Sequence, residues 1–207
     1  MSDNSRDRLL APVRLGARSG SPRTSEAAVF LDRDGVLNDV RGAGDRSMPP
    51  RTRDEMMIAR EATESTLRLR RAGFLLIVVT NQPDVARGTM DGNAALDTTR
   101  SVIETLALDD AYVCLHDTAD GCDCRKPRAG MLLRAAQDWG LALNRCWMIG
   151  DRWVDIAAAS QAGSRAVLLE KAYSWQRSGG ADPPAALTPE FRGTTLDSCV
   201  SFVLAHI

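Results

Sequence analysis

Long apolar runs are missing from this sequence. No stretch approaches the roughly 20 residues that a membrane span requires, and the N-terminus lacks the apolar core of a secretory signal. A cytoplasmic protein with no membrane partner is therefore expected. Basic runs are missing too: the net charge is -1 and the sequence pI about 6.1, which leaves no electrostatic surface for nucleic acid. A small soluble ligand and a monomer are the expectation. Lysine is nearly absent, since Lys126 and Lys171 are the only lysines among 26 basic residues. The five cysteines are an odd number without a secretion signal, which argues against a disulfide framework. No internal repeat occurs.

What is present suits one folded unit. The chain has 207 residues, 44% of them hydrophobic, enough for one sizeable core and short for two. Residues 1–25 carry arginine, serine and glycine without apolar periodicity, so they read as a flexible leader outside a single domain at 26–207. From Ala27 onward, short apolar runs alternate with longer amphipathic stretches. Runs at 27–31, 75–79, 111–114, 146–149 and 166–169 suit strands buried on both faces. Helices are predicted at about 54–72, 91–107, 128–139, 153–162 and 196–205, with a loop rich in Gly, Pro and Ser at 176–195. This alternation predicts an α/β fold, a Rossmann-like parallel sheet with helices on both faces.

In such a sheet, functional groups gather at the carboxyl ends of the strands. The first run leads into Asp32-Arg33-Asp34-Gly35, the second into Thr80-Asn81-Gln82 and the fourth into Gly150-Asp151-Arg152, while Lys126 follows the third after a short loop. Crowded carboxylates repel unless a cation sits among them, and an oxygen-rich site of this kind suits Mg²⁺. A lysine and a threonine supply the positive charge and the donor that a phosphate oxygen needs. In a chain that writes almost all its positive charge as arginine, Lys126 marks a place for a compact ammonium. Each motif alone is a common turn or cap, but their joint order at four strand ends points to chemistry.

A second cluster, Cys114, His116, Cys122 and Cys124, offers four soft ligands in one polar loop just before Lys126. Three thiolates and one imidazole close a tetrahedral Zn²⁺ site with no position left for water, so a structural zinc that presents Arg125 and Lys126 is expected. Cys146 and Cys199 read as small buried hydrophobes, and His206 as an exposed side chain.

The segments 30–38, 78–82, 124–127 and 149–152 resemble the four motifs of haloacid dehalogenase phosphatases, and more narrowly the heptose bisphosphate and histidinol phosphate phosphatase branch. The resemblance covers about residues 27–170. It implies a Mg²⁺-dependent phosphomonoester hydrolase in which Asp32 is the nucleophile and forms an aspartyl-phosphate, and Asp34 moves the proton. It further implies that Asp32, the Asp34 main-chain oxygen and Asp151 hold Mg²⁺, with Asp155 behind them. Thr80 and Lys126 would grip the phosphoryl group, Asn81 and Gln82 would belong to the substrate site, and Arg125 and Arg152 would contact the rest of the substrate.

The spacing leaves no room for an inserted cap after either of the first two motifs, so the site should be open. An open site flanked by Arg125, Arg128 and Arg152 favours a small phosphorylated sugar with a second anion. Val36-Leu37-Asn38 and Ala86-Arg87-Gly88 are similar to the heptose enzymes, which favours removal of the 7-phosphate of a heptose 1,7-bisphosphate. The five-residue zinc spacing is similar to the histidinol type. Two departures stand out: residues 39–45 replace a usual Gly-Tyr-Val element, and Pro83 replaces a small polar residue. The alternatives are histidinol phosphate hydrolysis, a polynucleotide 3′-phosphatase, and a non-catalytic zinc-stabilised binding module.

Overall fold

The computed structural model describes residues 11–16, 25–40 and 48–207. Among the described residues, seven strands form one sheet: β1 (Val13–Arg14), β2 (Ala28–Leu31), β3 (Leu75–Asn81), β4 (Asp110–Cys114), β5 (Trp147–Gly150), β6 (Arg165–Leu169) and β7 (Phe191–Gly193). The helices are α1 (Ala62–Arg71), α2 (Gly92–Leu106), α3 (Gly130–Trp139), α4 (Trp153–Ala162) and α5 (Leu196–Leu204). The strand order is β1-β4-β3-β2-β5-β6-β7, parallel except where β1 pairs antiparallel with β4. The chain runs outward from β2 through β3 to β4, then crosses back to place β5 on the other side of β2. That reversal is the switch point at which open parallel sheets bind ligands.

Side chains alternate across the strands and so supply two apolar layers. Val29, Leu31, Leu76, Val78, Ile149 and Val167 face one way and pack with Leu69 of α1, Val102 of α2 and Val200 of α5. Phe30, Ile77, Val79, Met148 and Leu168 face the other way and pack with Leu132 of α3 and Ala159 of α4. Cys146 and Cys199 are fully buried, as expected, and His206 is exposed.

Three expectations are corrected. Helix α1 begins at Ala62, not near 54, because the stretch before it forms a short turn at Arg53–Glu55 and a bridge from Ile58 to Asn38. Residues 11–16 lie within the expected leader, yet Val13 and Arg14 add an edge strand beside Val113 and Tyr112. Arg14 Nε meets the fully buried Asp110 at 2.6 Å, so this segment neutralises an interior carboxylate. The loop predicted at 176–195 contains β7, whose three residues carry too little apolar pattern to be read. The leader expectation at 1–10 and 17–24 and the divergent 41–45 lie outside the described residues. Among the described residues, no second domain is inserted between β2 and α1 or between β3 and α2.

Candidate active site

Strand β2 ends at Leu31, level with Val78 of β3 and Ile149 of β5. Asp32 continues one residue further, its N–H donating to Ile149 O at 3.0 Å, so its carboxylate stands between both neighbours at the sheet edge. The chain then turns tightly: Leu37 N and Asn38 N both donate to Arg33 O, and Gly35 adopts φ +85°. A side chain at Gly35 would be strained, and its Cβ would lie 2.1 Å from Asp151 Oδ2. The regular strand spacing that would have put Asp32 and Asp34 on one face therefore ends before either.

Lys126 is the hub. Its Nζ lies 2.9 Å from Asp32 Oδ1 and 2.6 Å from Asp155 Oδ1, and it donates to Val79 O at 2.8 Å. Lys126 and Asp155 are both buried. Gly150 makes this possible, since a Cβ there would collide with the Asp155 side chain at 2.2 Å. Burial alone would lower the Lys126 pKa, but the Asp155 and Asp32 carboxylates overcome it and hold the ammonium firmly protonated. Asp32 is pushed up to about 6, first by burial, with Lys126 opposing and Asp155 adding to the rise. Burial, and then the charges of Asp32 and Asp155, drive Asp151 well above the usual carboxylate range.

Carboxylate oxygens of Asp32, Asp151 and Asp155 lie within 4.8 Å of one another. Asp151 Oδ1 is buried without a protein donor among the described residues. An unpaired buried carboxylate oxygen beside two others is costly on its own and suited to a hard divalent cation. The Asp34 carboxylate stands outside this group. Arg33 forks onto it with Nε at 3.1 Å and Nη2 at 2.8 Å, Asn38 Nδ2 donates at 3.0 Å and Gln82 Nε2 at 2.7 Å.

Two expected substrate ligands thus have other contacts. Gln82 is buried, and its amide donates to Asp34 and to Thr80 Oγ1 at 3.1 Å, so it orients those groups from behind. Asn81 lines the cleft but clamps the peptide of Lys126, with Nδ2 donating to Lys126 O and Lys126 N donating to Oδ1, each at 3.0 Å. Arg128 is turned aside to the Cys122 carbonyl and does not line the main cleft.

A cleft of about 510 Å³ opens over this edge, lined by Asp32, Asp34, Thr80, Lys126 and Asp151 and rimmed by Arg51, Arg87, Arg125, Arg152 and Arg177. Arg125 and Arg152, expected to contact the substrate, are among these rim residues. Arg33, Asn38, Tyr173 and Arg177 were not anticipated. Arg33 carried a signal, because an arginine between two aspartates must either leave or pair, and here it is fully buried against Asp34 and the Thr98 and Thr99 hydroxyls.

The sulfur cluster sits beside Lys126. Cys114 and Cys122 Sγ are 3.8 Å apart, Cys122 and Cys124 Sγ 3.5 Å, and His116 Nδ1 lies 3.5 Å from Cys114 Sγ and 3.2 Å from Cys124 Sγ. A Zn–S bond near 2.3 Å gives tetrahedral edges of about 3.8 Å, so the four groups already have the dimensions of a closed zinc site.

Removing the ammonium at the hub should be severe. Lys126→Ala is expected to lower turnover more than about 10³-fold and stability by about 3 kcal/mol at pH 8, where the abandoned Asp32 carboxylate stays charged. Denaturant unfolding of the metal-free protein checks it, and the stability loss should shrink at pH 5 as Asp32 takes up a proton.

The HAD-hydrolase-like family model matches residues 123–191. The D-glycero-beta-D-manno-heptose-1,7-bisphosphate 7-phosphatase of Pseudomonas aeruginosa is 34% identical over 152 residues, covering 70% of this chain and 82% of that protein. Its namesake from Pasteurella multocida is 34% identical over 155 residues, covering 70% and 81%. Among solved structures, a D,D-heptose 1,7-bisphosphate phosphatase from B. bronchiseptica complexed with magnesium and phosphate is similar at TM-score 0.72. It is 26% identical, with 87% of this chain and 99% of that one covered.

Proposed function

The chain belongs to the haloacid dehalogenase superfamily, in the branch of the heptose bisphosphate phosphatases, and on that premise we propose that it removes the 7-phosphate of D-glycero-beta-D-manno-heptose-1,7-bisphosphate. The observation that carries the proposal is the Asp32–Lys126–Asp155 group, with Asp151 beside it, at the floor of an arginine-rimmed cleft. One phosphate meets the floor, and the second anion of a bisphosphate meets the rim. A small phosphorylated sugar fits a site without an inserted cap.

Asp32 is the nucleophile. Arg33 N at 2.8 Å and Lys126 Nζ at 2.9 Å both hold its Oδ1, which leaves Oδ2 to form the bond to phosphorus. As the bond from phosphorus to the sugar oxygen breaks, Asp34 delivers a proton to that oxygen, and an aspartyl-phosphate remains. Asp34 then takes a proton from water, whose oxygen attacks phosphorus, breaking the bond to Asp32 and releasing inorganic phosphate. Arg33, Asn38 and Gln82 hold the Asp34 carboxylate in place for both transfers. Thr80 and Lys126 bind the phosphoryl oxygens, and Arg125 and Arg152 orient the sugar end.

The carboxylates of Asp32 and Asp151 and the main-chain oxygen of Asp34 would hold magnesium. When bound, it would neutralise charge on the phosphoryl oxygens and the attacking carboxylate.

The test is phosphate release with magnesium from heptose 1,7-bisphosphate, histidinol phosphate and a 3′-phosphorylated oligonucleotide. The expected order has the bisphosphate ahead by at least about 10²-fold in kcat/KM, since only it carries a second anion for the arginine rim. A preference for either other substrate would overturn the sugar assignment and leave the class intact. Absence of hydrolysis with every phosphomonoester tried would return the protein to a zinc-stabilised binding role.

A further inference from the structure

The segment leaving β6 is tied to the end of β5 more closely than a connecting loop requires. Ser174 Oγ donates to Asp151 O at 2.6 Å, Trp153 N donates to Ser174 O at 2.9 Å, and Trp153 Nε1 donates to Gln176 O at 2.9 Å. Held in this way, Tyr173 enters the cleft. Its hydroxyl donates to Asp151 Oδ2 at 2.6 Å, and the Arg152 guanidinium carbon lies 4.5 Å from its ring centre. The hydroxyl also packs over Gly35, where a Cβ would approach it to 2.7 Å.

The two oxygens of Asp151 are thereby made unequal. Oδ2 is bonded to Tyr173, and Oδ1 is buried without a protein donor among the described residues. A carboxylate free to rotate offers its oxygens in many directions. Magnesium accepts only near-octahedral ones, so a fixed carboxylate spares ordering on binding.

We propose that Tyr173 is a positioning residue for the divalent cation. By occupying Asp151 Oδ2 it presets Oδ1 as a ligand beside Asp32, and its ring supports Arg152 at the rim of the cleft. The proposal rests on the reading of Asp32 and Asp151 as cation ligands and goes beyond it in assigning the group that orients one of them. Partners of ligating carboxylates typically cost 10- to 100-fold in metal affinity or activity when removed.

The experiment compares wild type, Tyr173→Phe and Tyr173→Leu. Magnesium is titrated calorimetrically without substrate, and kcat and KM are measured across magnesium concentrations. The Phe variant keeps the ring and loses the hydroxyl. Its magnesium Kd should rise about tenfold, while KM for the sugar phosphate at saturating magnesium stays within about twofold. The Leu variant loses both, so it should show the same weaker magnesium binding together with a KM raised several-fold. A purely structural hydroxyl would lower the melting temperature of the metal-free protein and leave the magnesium Kd of Tyr173→Phe unchanged, and that result overturns the proposal. Equal KM values in the two variants overturn the role given to the ring. A wild-type protein that takes up no magnesium would overturn the cation site and this proposal together, which separates the two failures.

Discussion

Replacing Asp32 with asparagine is expected to abolish phosphate release while making the metal-free protein more stable at neutral pH. The loss of turnover follows from the chemistry: an amide oxygen cannot form the covalent intermediate, and kcat should fall on the order of 10⁴-fold or more. The gain in stability follows from the environment. The Asp32 pKa is raised to about 6, chiefly by burial and even with Lys126 beside it, against an ordinary value of 3.8. A carboxyl whose folded pKa is raised contributes stability that is full below the unfolded value and is lost as pH rises through the folded one. The wild-type protein without magnesium should therefore weaken between about pH 4 and pH 6, by on the order of 3 kcal/mol from this group at pH 7.5. The Asp32→Asn variant lacks this titration altogether. Its unfolding curve should lie above that of the wild type at pH 7.5 and converge with it below pH 4.

Magnesium supplies the internal control. Cation binding to the folded wild type should recover the missing stability by mass action, and the asparagine variant should recover much less. A variant that keeps substantial activity would remove Asp32 from the nucleophile's place. A variant less stable than wild type at pH 7.5 without magnesium would mean that the ion pair with Lys126 outweighs the burial of the charge.

The strand ends were legible in the sequence for a simple reason. Strands buried on both faces read as unbroken apolar runs, so the first polar residues after each run mark the sheet edge and the residues that meet there. Asp32, Thr80 and Asp151 were read in this way, whereas Lys126, a loop away from the end of β4, was read from the scarcity of lysine. Residue type does not say which way a side chain turns once it reaches the edge. The family resemblance put Asn81 and Gln82 in the substrate site, yet one clamps the Lys126 peptide and the other steadies Asp34. Tyr173 was invisible because its partner Asp151 is 22 residues away and its own segment carries no motif. The edge strands β1 and β7 escaped because two or three residues cannot display a period, and their pairing with β4 and β6 defines them.

Removing zinc is expected to unfold the catalytic loop and with it much of the enzyme. Between Cys114 at the end of β4 and Lys126 the chain has only one short helical turn, Thr118–Asp120, with no buried residue in it. Hydrophobic packing there comes mainly from the cysteines themselves, and without a metal they hold protons unevenly. A hydrogen bond from Cys124 pulls Cys114 down to about 6, that same bond and then burial push Cys124 up, and burial pushes Cys122 up. Zinc requires all three as thiolates, so its binding should release protons and tighten as pH rises. The protein as purified is expected to carry about one zinc per chain. Chelation should lower its melting temperature by more than about 10 °C, given the several kcal/mol that a structural zinc contributes. Activity should fall in step, because Arg125 and Lys126 follow directly on Cys124. Cys122→Ser should reproduce both losses, whereas Cys146→Ser gives the baseline for a hydroxyl at an equally buried cysteine outside the cluster. Full activity and an unchanged melting temperature in protein stripped of zinc would reduce the four groups to ordinary packing, and the position of Lys126 would then rest on Asn81, Val79, Asp32 and Asp155.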